Sequence, residues 1–226
     1  MYNLNEILFI SLFFLLGLIF GSFANVCIYR LPINNSNILG RSYCPKCKKK
    51  ICWYDNIPLI SYLILSGKCR GCKKDITINY FIVELTSALF FILIYIYFNN
   101  LIEIIFFQIC VLILLIIIFI DFKHYIIPDS LNFILIILAC SYFFIPDLKY
   151  KFNENIIEII IGGLVGYFSI WMIIFTYKNL KNIEAMGLGD AKLMTAFGCF
   201  FGWQSIPVIL FLSSIYALIF VSGPLL

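Results

Sequence analysis

Seven apolar runs separated by polar loops constrain this chain more than any other feature of its sequence. They cover residues 7–28, 80–98, 101–120, 131–145, 156–177, 191–203 and 208–221. A run of about 20 apolar residues crosses the hydrocarbon layer of a bilayer as a helix, because the backbone groups there have no water to bond. Hydrophobic residues make up 63% of the chain and charged residues 12%. The sequence therefore predicts an all-α polytopic membrane protein with about seven transmembrane helices.

The basic residues predict how the chain lies in the membrane. Ten of the sixteen lysines and arginines fall between Arg30 and Lys74, and such clusters mark cytoplasmic loops. We therefore expect this loop inside, the amino terminus outside, and the loops at Asp121 and 178–190 inside. Because Glu6 precedes the first run and no basic leader or cleavage site follows, that run is expected to be a retained span and not a signal peptide. The basic residues behind the net charge of +4 are explained by the orientation of the chain in the membrane, so no nucleic-acid partner is expected.

The loop between the first two runs has the chemistry of a small soluble domain. We expect three parts: a first span at 1–30, a cytoplasmic loop domain at 31–79, and a membrane-embedded helical domain at 80–226. Two CxxC pairs in the loop are separated by 21 residues, and their members are Cys44, Cys47, Cys69 and Cys72. Four thiolates at this spacing close a tetrahedral zinc site, and a reducing cytoplasm disfavours disulfides. A structural zinc is thus predicted; a redox CxxC is the alternative and lacks the expected strand–helix context.

Two aspartates stand where apolar runs meet loops predicted to be inside. Asp121 closes the third run, and Asp190 follows Gly187 and Gly189 at the start of the sixth. Glycine freedom at positive φ would let the backbone approach a substrate closely. A charged side chain near the hydrocarbon layer costs free energy, and such residues usually mark a functional site. Two carboxyl groups at one membrane face would share a proton and carry out aspartyl proteolysis, with Asp190 ionised at a helix start and Asp121 protonated.

Four further residues are expected to support this pair. Lys123 and Lys192 lie close in sequence to the aspartates and could reverse their roles. Glu84, about one turn into the second run, either extends to the interface or faces the interior near the site. Asp129 begins the fourth run and is expected to cap a helix in preference to acting in catalysis.

Two of the runs carry glycines four residues apart. Gly17 and Gly21 lie in the first run, and Gly162 and Gly166 lie in the fifth. This spacing lets two helix backbones approach closely, so each pair is expected to be a packing contact.

Longer motifs surround these residues. They are Gly21-Ser22-Phe23-Ala24-Asn25-Val26, Ser42-Tyr43-Cys44-Pro45-Lys46-Cys47, Gly67-Lys68-Cys69-Arg70-Gly71-Cys72, Ile127-Pro128-Asp129 and Gly187-Leu188-Gly189-Asp190-Ala191-Lys192-Leu193. In this combination, which extends over almost the whole chain, the sequence resembles the bacterial prepilin peptidases, or type IV leader peptidases. GxGD alone would also suit presenilin-like proteases. The resemblance implies that Asp121 and Asp190 are the catalytic pair.

The resemblance also implies a substrate, a location and a second activity. The family acts at the bacterial inner membrane, where it cuts the leader from prepilins and pseudopilins after a glycine on the cytoplasmic side. Its substrates belong to type IV pilus, type II secretion or competence systems. Many members then methylate the new amino terminus with S-adenosylmethionine, and the four-cysteine loop accompanies that bifunctional branch. No soluble nucleotide-binding fingerprint in the chain indicates the methyltransferase independently.

The chain departs from that family in its number of runs. The family usually has eight spans, and seven runs are present here. Gly223-Pro224-Leu225-Leu226 resembles the start of a glycine-proline motif that normally precedes the last helix. We therefore expect a chain that is either naturally short or truncated.

Two other classes of function remain open. Paired membrane acids also serve transporters as ion or proton sites, but these lie near the midplane of repeated halves. Both acids here are predicted at one face, and no repeat is apparent. A membrane scaffold with a zinc knuckle is the other class, and it would leave Asp121 and Asp190 as ordinary interfacial residues.

Overall fold

Helices account for nearly all of the regular structure. The computed structural model describes residues 4–33, 40–145, 152–153, 155–182 and 186–222. The helices are α1 (Leu4–Arg30), α2 (Ile60–Ile64), α3 (Asn79–Tyr97), α4 (Leu101–His124), α5 (Asp129–Tyr142), α6 (Ile156–Lys181), α7 (Leu188–Phe201) and α8 (Ile206–Ser222). The described residues contain isolated β-bridges but no strand. The predicted all-α class is confirmed, and each of the seven apolar runs is helical.

Four of these helices are long and apolar enough to cross a membrane. They cover Leu4–Ile33, which includes a 3₁₀ turn after α1, and Asn79–Tyr97, Leu101–His124 and Ile156–Lys181. The helices α5 and α7 have 14 residues each, or about 21 Å at 1.5 Å per residue, against a hydrocarbon layer of about 30 Å. Seven helices thus correspond to the predicted spans, but four reach full length in the described part of the chain. The glycine-proline motif at 223–226 lies outside the described residues.

The surfaces of these helices are strongly apolar. Ile19, Leu93 and Ile118 are each more than half exposed, and similar side chains recur along every long helix. Contiguous apolar surface of this extent is rare on soluble proteins. Lipid tails would surround it without cost, so the exposure agrees with a bilayer environment.

The chain divides into two compact units, Met1–Ile126 and Ile127–Leu226. In the first unit, α1 packs against α3 and α4. The predicted glycine pair of α1 lies in this contact: a Cβ on Gly21 would come within 2.8 Å of the Glu84 Cα, and one on Gly17 would meet Ala88. Glycine is required here because the two backbones are too close for a side chain.

In the second unit, α7 packs against both α5 and α6. The glycine pair of α6 again makes the close contact, with Gly162 against Gly198 and Gly166 against the Met194 backbone. At the carboxyl end of α7, the Asn153 side-chain amide donates to the carbonyls of residues 199 and 200, at 3.0 Å each. The short α7 is therefore held along its length and at its carboxyl end.

Candidate active site and metal site

Each CxxC pair forms a turn with the same backbone geometry. The Lys48 N–H donates to the Cys44 carbonyl and the Lys73 N–H to the Cys69 carbonyl, both at 2.8 Å. The N–H of each first cysteine donates to the carbonyl five residues later, at 3.0 and 2.9 Å. Both lysines have positive φ, 57° and 54°, and an antiparallel bridge closes each turn. We call residues 43–50 the first knuckle and residues 68–75 the second.

The two knuckles bring the four predicted cysteines together. The Sγ atoms of Cys44, Cys47, Cys69 and Cys72 all lie within 4.8 Å of one another, and those of Cys44 and Cys72 are 4.0 Å apart. A tetrahedral site with zinc–sulfur bonds of about 2.3 Å separates its sulfur atoms by about 3.8 Å. The cluster therefore has the donor set and the size to hold a metal ion. Cys52 is exposed and stands outside it.

The thiols of the cluster differ in acidity. A hydrogen bond from the Cys72 N–H lowers the pKa of Cys69 to about 7. The Lys49 N–H lowers the pKa of Cys47, but desolvation and hydrogen bonds to the neighbouring thiols outweigh it and raise that pKa to about 11. Metal binding needs thiolates and therefore releases the remaining thiol protons.

Two arginines fasten the cysteine loop. Arg30 is only 4% exposed, and its guanidinium donates to the Gly40 and Arg41 carbonyls at 3.0 and 3.1 Å. Arg70 of the second knuckle donates from two of its nitrogens to the Asp55 carboxylate, and the shortest bonds are 2.8 and 2.7 Å. Neither partner could be predicted from the sequence, because both contacts depend on how the loop folds back.

Glu84 faces the interior of the first unit. It is 8% exposed, and its Oε2 accepts the Leu59 N–H at 2.8 Å. Leu59 has a φ of 58° and a ψ of −51°, a positive-φ conformation that is strained for a leucine. The side chains of Ser22 and Asn25 also hydrogen-bond to the carboxylate. The carboxylate therefore lies in the interior and joins α1, α3 and the loop, and its support of the catalytic pair stays a prediction.

Asp121 lies in the last turn of α4, on the exposed surface. Its carbonyl accepts the Tyr125 N–H at 2.8 Å, and Tyr125 ends the helix in the left-handed conformation. The helix therefore extends one turn past the apolar run. Lys123 is in the same exposed turn.

Asp190 lies in the first turn of α7. Its Oδ2 accepts the Gly187 N–H at 3.1 Å, and its own N–H donates to the Gly187 carbonyl at 3.2 Å. A helix amino terminus stabilises a carboxylate in this position. The expectation of positive φ at the two glycines is wrong, since neither adopts it. Gly189 is needed for a different reason: a Cβ there would lie 3.0 Å from the Ile127 Cβ.

The start of α5 holds the start of α7. The Lys192 ammonium pairs with Asp129 Oδ1 at 2.6 Å, and the Asn132 side-chain amide donates to the Gly189 carbonyl at 3.2 Å. Asn132 is 1% exposed, and its Oδ1 finds no hydrogen-bond partner among the described residues. Sequence reasoning missed Asn132, although a polar residue in an apolar run, three positions after Asp129, was a usable signal.

The two predicted catalytic residues belong to different units. Asp121 is in the first unit, and Asp190 is in the second together with Gly187, Gly189, Asp129 and Lys192. Within the second unit, the structure brings Asp190 together with these four residues. The pairing of the two aspartates stays a prediction from the sequence.

Two family models match the chain. The bacterial peptidase A24 N-terminal domain matches residues 15–98, which include the second half of α1, the cysteine loop and α3. The type IV leader peptidase family matches residues 108–222, about half of the chain, including both aspartates. No solved structure matches the chain.

Several relatives bear the name prepilin leader peptidase/N-methyltransferase. The protein of Vibrio cholerae serotype O1 is 37% identical over 95% of this chain and 86% of its own length. That of Klebsiella pneumoniae is 34% identical over 90% of each chain, and that of Aeromonas salmonicida is 32% identical over 97% of this chain and 82% of its own. Both the family models and these relatives extend over the cysteine loop and the GxGD turn. The chain therefore belongs to the type IV leader peptidase family.

Proposed function

We propose that the chain is an integral membrane aspartyl endopeptidase that removes the leader of type IV prepilins or pseudopilins by cleaving after a glycine. The observation that carries this proposal is the identity of 32–37% with prepilin leader peptidase/N-methyltransferases along most of both chains. The natural setting is the bacterial inner membrane, with the bilayer around residues 1–30 and 80–226 and the amino terminus outside. The cysteine loop at 31–79 and both aspartates then face the cytoplasm, where the basic leader of the substrate lies.

Asp121 and Asp190 form the catalytic pair. Asp190 is the ionised member, because the amino terminus of α7 and the Gly187 N–H stabilise its negative charge. It takes a proton from a water molecule, which attacks the carbonyl carbon of the scissile bond. Asp121 is the protonated member and donates to the carbonyl oxygen, where negative charge develops. Collapse of the tetrahedral intermediate then breaks the carbon–nitrogen bond, and the leaving amine takes up a proton from the pair.

Neighbouring lysines bear on this assignment of roles. The Lys192 ammonium pairs with Asp129, so its charge is partly compensated at that carboxylate. Its influence on Asp190 is correspondingly smaller than sequence proximity suggests. Lys123, two residues after Asp121, would favour the opposite assignment, and the pH profiles of Asp121→Asn and Asp190→Asn distinguish the two.

We assign a structural zinc to the four cysteines and S-adenosylmethionine as the donor for methylation of the new amino terminus. A zinc ion with four thiolate ligands keeps no position for water, so it would stabilise the loop and take no part in hydrolysis. The methyltransferase is supported by the names of the relatives. The partners are prepilin substrates and the lipid bilayer.

Mass spectrometry of a prepilin with a glycine–phenylalanine junction tests the peptidase. The substrate is incubated with detergent-purified protein and S-adenosylmethionine, beside Asp121→Ala, Asp190→Ala and, as a control, Glu6→Ala in the first turn of α1. We expect cleavage by the wild type and the control and none by the two aspartate variants. Cleavage that persists in either aspartate variant would remove that residue from the pair. An intact substrate with the wild type would favour the transporter alternative.

A further inference from the structure

A cavity of about 370 Å³ lies inside the first unit, between the knuckles and the adjoining ends of α1 and α3. Asn25, Val26 and Tyr29 line it from α1, and Tyr80 and Glu84 line it from α3. Sites for small molecules typically measure about 300–1,000 Å³. The cavity is therefore large enough for a ligand of cofactor size, and neither aspartate of the peptidase lines it.

The lining combines three kinds of chemistry. Tyr29 and Tyr80 present aromatic rings, Glu84 contributes a buried carboxylate, and Lys49 and Lys50 contribute positive charge from the first knuckle. Aromatic rings stack on flat heterocycles, a buried carboxylate attracts a cation, and ammonium groups attract a carboxylate. A ligand that uses all three carries a flat ring, a positive charge and an acid group.

Glu84 has the capacity for one more partner. A carboxylate has about four acceptor positions, and Leu59, Ser22 and Asn25 occupy three of them. These bonds are all made with neutral groups, so they do not neutralise the charge. A buried carboxylate without a compensating cation is costly. A cationic ligand in the cavity would lower that cost.

We propose, on the basis of the methyltransferase activity proposed above, that this cavity is the binding site for S-adenosylmethionine. The donor has an adenine ring for the tyrosines, a sulfonium and an ammonium group for Glu84, and a carboxylate for the lysines. Because Glu84 also accepts the Leu59 N–H, the same carboxylate joins the cysteine loop to α3 beside the cavity.

Equilibrium binding of radiolabelled S-adenosylmethionine to the detergent-purified full chain tests the site. Glu84→Gln removes the charge but keeps an acceptor for the Leu59 N–H, and Val26→Trp fills part of the cavity. The matched controls are Glu103→Gln, a buried acid of α4 that is 1% exposed, and Ile19→Trp, on the exposed face of α1 and itself 59% exposed. We expect binding at least about tenfold weaker in each cavity variant and wild-type binding in both controls. Metal content and melting temperature show that the variants are folded.

The outcomes separate the site from the activity. Binding to the wild type with equal affinity in Glu84→Gln and Val26→Trp would overturn the cavity as the site and leave the methyltransferase in place. An absence of both binding and methylation in the wild type would overturn the methyltransferase and the site together. If both cavity variants lose metal or have a lowered melting temperature, ultraviolet crosslinking of the labelled donor to the wild type tests whether the cavity is the site. Label on peptides that line the cavity supports the site, and label confined to other peptides refutes it.

Discussion

Replacing Asn132 with leucine is expected to lower prepilin cleavage without lowering stability. The Asn132 amide bonds the Gly189 carbonyl at 3.2 Å, directly before Asp190. Its removal frees the first turn of α7 from α5 on that side. A displacement of a catalytic group by 1 Å can cost about a hundredfold in rate. Since Lys192 and Asp129 still connect the two helices, we expect a smaller loss, about tenfold in kcat/KM.

The stability of this variant follows from the two polar atoms of the asparagine amide, Nδ2 and Oδ1. The lost hydrogen bond costs about 1 kcal/mol. The Oδ1 atom is buried without a partner among the described residues, and removing such an acceptor returns about 1–3 kcal/mol. The lost hydrogen bond and the removed acceptor therefore cancel in the free energy of unfolding or make the leucine variant more stable. The apolar leucine side chain also suits this buried position. The melting temperature of the variant should therefore equal or exceed that of the wild type.

Steady-state cleavage and thermal melting of the purified protein measure both quantities. The matched control is Asn153→Leu, which loses two bonds of 3.0 Å at the opposite end of α7. It should lose about 1–3 kcal/mol of stability and keep more of its activity than Asn132→Leu when assayed below its melting temperature. Full activity together with a lowered melting temperature in Asn132→Leu would refute the reasoning, because the asparagine would then be only structural.

Three further outcomes follow from the structure. Cys44→Ser should lose the zinc that the wild type carries by elemental analysis, whereas Cys52→Ser, with an exposed thiol outside the cluster, should keep it. Gly162→Ala should cost about 1–3 kcal/mol by overpacking against the Gly198 backbone, seen as a lower melting temperature than in Ile161→Ala, at a position 42% exposed. Asp129→Asn should cost less than about 1 kcal/mol in the same assay, because its salt bridge is exposed.

Local patterns in the sequence were enough for the helices and the metal cluster. Apolar runs separated by charged loops can only be helices in a bilayer, and all seven are helical. The CxxC spacing fixes two short turns whose geometry is independent of the rest of the chain, so the cysteines could be predicted as a group. Small-xxx-small spacing likewise predicted the close contacts of α1 and α6. Helix length was harder, because α5 and α7 end where packing and turns end them and not where the apolar residues do.

The supporting residues of the site depend on contacts between segments far apart in the chain. Asn132 and the Gly189 carbonyl are 57 positions apart, and Glu84 and the Leu59 N–H are 25 apart; no local period encodes either pair. Yet Asn132 and Glu84 share one property visible in the sequence, a polar side chain inside an apolar run. Such a group is retained only where a partner offsets its desolvation. Each therefore marks a helix face that holds the backbone of a distant segment: Asn132 holds the GxGD turn, and Glu84 holds Leu59 of the cysteine loop.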